Sequence, residues 1–240
     1  MQGTFYGIGV GPGDPELITL KAVKILREVD VIIAPRTEKK QNSSALSIAS
    51  SFIRQDTQVL ELVFPMVFEQ GSLSVAWEHN KNIILSFLNE GKNVAFLTLG
   101  DPMIYSTYIY VYRLLEGNGL KIETIPGVTS FCAAASRLGF PLAEGNDILS
   151  IVPATLEEEK IEKALSYADN LVLLKVYKNF EQIIAQLKKS SLADNAAMVS
   201  RCGFKDEEII YNLNYSEDKK PNYLSTILAR KRASGSAGND

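Results

Sequence analysis

The sequence is short of what metal and redox chemistry require. Its 240 residues include two cysteines, Cys132 and Cys202, and one histidine, His79. Metal sites draw on Cys, His and carboxylate clusters at set spacings, and no such cluster surrounds these three residues. No protein-bound metal is expected. His79 lies in Ala76-Trp77-Glu78-His79-Asn80-Lys81, a stretch that reads as a helix with a polar face. No Ser-His-Asp or Cys-His arrangement assembles around it. Two widely separated cysteines point to reduced thiols in a cytoplasmic protein, with a disulfide between them left open. No apolar run approaches the length that spans a bilayer. Met1-Gln2-Gly3-Thr4 lacks the basic-then-apolar profile of a signal peptide. An excess of one charge is missing too. Lys plus Arg number 25 against 28 Asp plus Glu, a net charge of −3 that gives nucleic acid no basic footprint.

What the chain has is apolar content, 46%, and two related glycine loops. The first reads Gly7-Ile8-Gly9-Val10-Gly11-Pro12-Gly13-Asp14-Pro15. The second reads Leu97-Thr98-Leu99-Gly100-Asp101-Pro102-Met103-Ile104-Tyr105. Each follows a strand-like run and precedes a helix-like stretch, which places both at carboxyl ends of strands, where open α/β sheets bind ligands. Glycine there lets a ligand or a second segment approach bare backbone. The dinucleotide fingerprint G-x-G-x-x-G does not fit. Counted from Gly9 its third glycine would be Asp14, and counted from Gly7 it would be Pro12. The second strand closes on Ala34-Pro35 with no ribose-binding acid, and no phosphate loop with Gly-Lys-Ser/Thr occurs. A nicotinamide oxidoreductase is thereby disfavoured, and a tight turn without a ligand remains the plain alternative for either loop alone.

Period and punctuation predict strands at residues 4–10, 31–34, 58–64, 93–98, 121–125, 147–152, 170–176, 196–201, 208–212 and 223–230. Helices are expected at 15–27, 44–54, 78–89, 106–116, 128–138, 157–167 and 179–188. In the first, Leu17, Leu20, Val23 and Lys24 have helical spacing, with Asp14 as N-cap. The alternation indicates an α/β protein with parallel-rich sheets. Pro126-Gly127 marks a break. Residues 1–125 form a first α/β domain and 126–233 a second, with 234–240 a flexible tail.

Taken together, Gly9-Val10-Gly11-Pro12-Gly13-Asp14-Pro15-Glu16-Leu17-Ile18-Thr19-Leu20-Lys21-Ala22, Gly100-Asp101-Pro102 and Pro126-Gly127-Val128-Thr129-Ser130 resemble the tetrapyrrole methyltransferase family of cobalamin biosynthesis. The order and spacing span residues 3 to about 230. Thr98 through Tyr108, Pro126 through Ala134 and Leu173-Leu174-Lys175-Val176-Tyr177-Lys178 look most like its precorrin-2 C20-methyltransferase branch. The resemblance implies two α/β domains with a cofactor cleft between them, a homodimer, and S-adenosyl-L-methionine as co-substrate. It also implies a tetrapyrrole trough formed mainly by the first domain. Carried over by motif, Pro12, Leu99, Gly100, Asp101, Ile104, Thr129, Ser130, Lys175 and Cys202 would line the co-substrate site. Lys175 and Cys202 stand where relatives often carry apolar or small residues, so backbone contacts are expected there.

Transfer from a methyl sulfonium needs alignment and desolvation more than acid–base groups. That suits a site of backbone and small residues. Asp101 could pair with an ammonium group or merely cap the helix after Pro102. Arg36, Lys39 and Lys40 are candidates for a basic rim facing the substrate's carboxylates, and Tyr105 and Tyr108 for substrate contact. Tyr105, Tyr108 and Glu144 are the candidates for a base at C20, and none is singled out. The expected activity is C20 methylation of cobalt-precorrin-2 or precorrin-2. The alternatives are a family methyltransferase acting at another ring carbon, or a non-catalytic tetrapyrrole carrier.

Overall fold

A computed structural model describes residues 1–36, 43–65, 72–213 and 221–231. Lys39, Lys40 and the 234–240 tail lie outside them. The chain divides into two compact units, Met1–Thr129 and Ser130–Asp240.

The first unit is built on five strands, β1 (Thr4–Gly9), β2 (Val31–Arg36), β3 (Gln58–Val63), β4 (Val94–Thr98) and β5 (Lys121–Ile125), in the order β3-β2-β4-β1-β5. Every pairing is parallel. Helices α1 (Leu20–Leu26), α2 (Ser44–Ala49), α3 (Ser72–Asn89) and α4 (Tyr108–Leu115) connect them. β4 is buried along its whole length, as its unbroken apolar run requires of a central parallel strand. On one face of the sheet Phe5, Val31, Ile33, Val94 and Phe96 pack with Ile84 and Leu88 of α3 and with Tyr108, Val111 and Leu115 of α4. Neighbours β1 and β4 send their outgoing connections to opposite sides of the sheet, β1 toward β2 and β4 toward β5. That reversal makes a switch point, with the glycine loops at its carboxyl edge.

The expected first helix is broken in two. Asp14 Oδ1 accepts from Glu16 N (2.9 Å) and caps a one-turn 3-10 helix, Pro15–Leu17. Thr19 then begins α1 afresh, its hydroxyl accepting from Ala22 N. The restart shifts the buried stripe. Ala22 and Leu26 face inward, while Leu20, expected on the apolar face, is 81% exposed.

The second unit holds β6 (Leu149–Pro153), β7 (Asn170–Leu174), β8 (Ala196–Ser200), β9 (Glu208–Ile210) and β10 (Ser225–Arg230). Their order is β6-β7-β10-β8-β9. Only β6–β7 is parallel; β10 runs antiparallel to both β7 and β8, and β9 antiparallel to β8. Parallel-rich pairing thus holds for the first sheet and fails for the second. The short β8–β9 connection permits only a hairpin-like return, and β10 lies between β7 and β8, antiparallel to both. Helices α5 (Ser130–Leu138), α6 (Glu158–Tyr167) and α7 (Phe180–Lys189) complete the unit. One face packs against α6 and α7 through Ile161, Leu165, Ile183 and Leu187. The other packs Phe131, Ala134 and Ala135 of α5 on Val172, Val199 and Leu228.

Candidate functional site

At the switch point of the first unit three chain segments meet through their backbones. Gly11 and Gly100 form an isolated antiparallel bridge, Gly100 N donating to Gly11 O at 2.8 Å and Gly11 N to Gly100 O at 3.3 Å. Both glycines have positive φ, +80° and +72°, a region in which other residues are strained. The segment after β5 closes on the pair. A Cβ built on Gly9 would lie 2.6 Å from Gly127 N and 2.7 Å from Gly100 O, and one on Gly127 would lie 2.2 Å from Gly100 O. Side chains at Gly9 and Gly127 are excluded by contact distance alone.

Asp101 ties the junction together. Its Oδ1 accepts from Met103 N at 2.9 Å, and its Oδ2 from Gly127 N at 3.1 Å. Capping the next helix is not its task, since α4 starts only at Tyr108. The carboxylate instead joins the loop after β4 to the segment after β5. Charge-assisted bonds of this kind contribute about 1.5–3 kcal/mol each. Leu99 and Gly100 precede it, Pro12 is buried just beyond the bridge, and Ile104 is 36% exposed in the same loop. Pro12, Leu99, Gly100, Asp101 and Ile104 are thus gathered at one edge. Arg36 ends β2 at that edge, paired in register with Val63 of β3.

Tyr105 is half exposed and has φ +48°, a conformation that costs a bulky residue roughly 1–2 kcal/mol. Tyr108 does not share its surroundings, which corrects the expectation of substrate contact. It is fully buried, its hydroxyl 2.6 Å from Thr124 Oγ1 and its ring stacked on Phe5. Burial pushes its phenol pKa up. The missing side chain of Gly7 makes room for it, since a Cβ there would lie 2.1 Å from the Tyr108 ring.

In the second unit, β7, β8 and β10 bring Lys175 and Cys202 to one sheet edge. Leu174 pairs with Thr226, Ser200 pairs with Ser225, and Arg201 N donates to Leu224 O at 2.8 Å. Lys175 and Arg201 both turn the chain with left-handed backbones, at φ +59° and +53°. Lys175 is exposed, while Cys202 is half-buried against the α5 cluster. Burial first, and the Glu207 carboxylate second, push the Cys202 thiol up to about 11, so it is a poor nucleophile at neutral pH. Glu207 itself is held by Arg137 Nε (2.6 Å) and Gly203 N (2.8 Å). These contacts outweigh burial and lower its pKa. Thr129 closes the first unit and Ser130 opens α5.

Glu144 accepts from Arg230 Nη2 at 3.0 Å. Arg230 pairs with Asn170 at the start of β7, the end of the sheet away from Lys175 and Cys202. The base expectation for Glu144 therefore gives way to an ion pair. His79 is exposed on α3. Among the described residues no group of three or more His, Cys, Asp or Glu could hold a metal, and no helix is long and apolar enough to cross a membrane.

Sequence reasoning missed the meeting of Gly9 with Gly127. The signal was in the alternation. Gly7 and Gly9 fall on one face of β1 at strand period 2, a row without side chains that something else must fill.

Comparison with known proteins adds a second line. The family model of Tetrapyrrole (Corrin/Porphyrin) Methylases matches residues 4–214. The chain is 36% identical over 233 residues to the cobalt-precorrin-2 C(20)-methyltransferase of Salmonella typhimurium, covering 97% of this chain and 98% of the relative. It is 30% identical over 234 residues to a precorrin-2 C(20)-methyltransferase of Sinorhizobium, covering 94% of each. Among solved structures, a uroporphyrin-III C-methyltransferase of Thermus thermophilus complexed with S-adenosyl homocysteine matches with a TM-score of 0.70 at 22% identity. That match covers 95% of this chain and 98% of the other.

Proposed function

We propose that this chain, which belongs to the tetrapyrrole (corrin/porphyrin) methylase family, transfers a methyl group from S-adenosylmethionine to C20 of cobalt-precorrin-2 in cobalamin biosynthesis. Precorrin-2 is the metal-free alternative. The observation that carries the reading is near-full-length identity with a C20-methyltransferase. The fold agrees with it, since a uroporphyrin-III C-methyltransferase shares that fold over 95% of this chain. The higher identity to the cobalt-precorrin enzyme than to the metal-free one favours the cobalt substrate.

The residues of the first unit fit a sulfonium amino acid. Gly100 has positive φ and, its chain neighbours aside, no described atom nearer than 4.0 Å to where its Cβ would be, so its backbone is open on that side. Asp101 holds a negative charge beside it and keeps lone pairs for the ammonium group after its two backbone bonds. Pro12, Leu99, Gly100, Asp101 and Ile104 in the first unit, with Thr129, contact the co-substrate in this reading. Ser130, Lys175 and Cys202 are the second unit's contribution, Lys175 and Cys202 through backbone groups.

The bound sulfonium supplies an already activated methyl group, so the chain's part is alignment and water exclusion. The backbone bridge and the Asp101 tie fix the two loops without a mobile side chain between them. C20 loses its proton after transfer. Tyr108 and Glu144 do not take it, one being sealed in the core and the other ion-paired. We place the protein in the cytoplasm as a homodimer, by analogy with the family. Light scattering on the purified chain tests the dimer. Calorimetric titration with S-adenosylmethionine, followed by turnover on cobalt-precorrin-2, tests the activity. A chain that binds the macrocycle but transfers no methyl would be a carrier, and the proposal would fall.

A further inference from the structure

The loop between β4 and α4 carries two side chains, Met103 and Tyr105, that the methyl-donor reading does not use. Both ends are anchored. Asp101 bonds Met103 N and Gly127 N, Pro102 is buried, and the hydroxyl of buried Ser106 donates to Pro102 O. Between the anchors, Met103, Ile104 and Tyr105 are 54%, 36% and 50% exposed. Three consecutive large apolar side chains in solvent are unusual on a loop this firmly held.

Tyr105 stands out among them. Its φ of +48° is a region that glycine or asparagine enters easily and a bulky aromatic does not. An outlier of this kind, at the carboxyl end of a parallel strand, points to a functional use of the side chain. The neighbouring strand β2 ends on Arg36 at the same sheet edge. An aromatic face with a flanking thioether suits a flat conjugated ring, and a guanidinium at the same sheet edge suits a carboxylate on its rim.

We propose that Tyr105, presented by its left-handed backbone and flanked by Met103, stacks on the face of the tetrapyrrole, while Arg36 on the adjacent strand end meets one of its peripheral carboxylates. The inference rests on the methyltransferase reading and adds the residues that position the acceptor. It assigns Tyr105 to binding and orientation, with no part in proton transfer.

The test compares wild type, Tyr105→Asn and Tyr105→Phe in steady-state methylation of cobalt-precorrin-2, with calorimetric S-adenosylmethionine affinity and thermal midpoint measured in parallel. Asparagine tolerates the left-handed backbone but offers no ring. We expect Tyr105→Asn to hold or raise the thermal midpoint, since asparagine relieves the left-handed strain, and to keep S-adenosylmethionine affinity while KM for the macrocycle rises about three- to tenfold, the range of one aromatic contact. Tyr105→Phe should restore KM to near the wild-type value. An unchanged KM in Tyr105→Asn overturns the proposal. So does a parallel loss of S-adenosylmethionine affinity, which would place the ring at the co-substrate, or a failure of phenylalanine to restore KM, which would make the hydroxyl the active group. If wild type itself transfers no methyl to cobalt-precorrin-2 or precorrin-2, the functional reading fails and this inference fails with it. Equal KM values in wild type and Tyr105→Asn, with turnover intact, would sink the stacking role alone.

Discussion

Replacing Gly9 by alanine adds one methyl group at the point where three backbones converge. The new Cβ would lie 2.6 Å from Gly127 N and 2.7 Å from both Gly100 O and Gly127 Cα. All three are main-chain atoms, so no side chain can rotate away. Relief requires the segment after β5 to withdraw, which stretches the bond from Gly127 N to Asp101 Oδ2 and disturbs the Gly11–Gly100 bridge. Overpacking a close-packed site costs about 1–3 kcal/mol, and the rigid neighbours put this case near the top, about 3 kcal/mol. In a chain of this size that is a fall of roughly 6–12 °C in thermal midpoint. S-adenosylmethionine affinity should fall with it, because the loops that move are those assigned to the co-substrate. Gly117→Ala is the control. Its φ is +83° and nothing lies within 4 Å of its Cβ position, so only backbone strain of about 1–2 kcal/mol is expected. Thermal unfolding with and without ligand reads both. A Gly9→Ala protein within about 0.5 kcal/mol of wild type, by the same midpoint conversion, would refute the steric account of the junction.

Three further outcomes follow from the same geometry. Tyr108→Phe removes the 2.6 Å bond to Thr124 and should lower stability by about 1 kcal/mol, whereas Tyr108→Ala empties the space over Gly7 and should cost about 3–5 kcal/mol; urea denaturation distinguishes them, and equal effects would contradict the packing. Asp101→Asn can accept at only one of its two side-chain atoms, so either Met103 N or Gly127 N loses its partner; about 2 kcal/mol of stability should go, with a calorimetric weakening of S-adenosylmethionine binding of tenfold or more, and wild-type affinity would argue against the tie. Exposed Cys132 should alkylate well before Cys202, whose thiol stays protonated up to about pH 11. The folded-state value lies above the ordinary 9.0, so its contribution to stability is complete below pH 9 and is lost as pH climbs toward 11; peptide mapping after iodoacetamide at pH 8 checks the order, and faster labelling of Cys202 would reverse the argument.

Local sequence carried much of the architecture because its signals are local. Each βα unit of the first sheet is written as an apolar run, a glycine or proline break and an amphipathic stretch, and β1, β2, β4 and β5 fall where those runs lie. Strand direction in the second sheet was not legible. β10 inserts between β7 and β8 by long-range pairing that no residue of Ser225–Arg230 announces. α4, expected from Ser106, begins only at Tyr108, three residues after the left-handed backbone of Tyr105. In the site, Gly100 and Asp101 were legible from motif. The burial of Tyr108 was not, because a tyrosine on the first turn of a helix reads equally as core or surface until Gly7 is seen beneath it. Glu144 likewise looked available until Arg230, 86 positions away in the chain, closed on it.

The most direct test of the central claim is the position of the transferred methyl group. Purified protein would be given carbon-13-labelled S-adenosylmethionine with cobalt-precorrin-2 or with precorrin-2 under anoxic conditions, and the product analysed by NMR. The account predicts label at C20, with the cobalt substrate turned over in preference. Label at another ring carbon, or no transfer from a co-substrate that demonstrably binds, would contradict it.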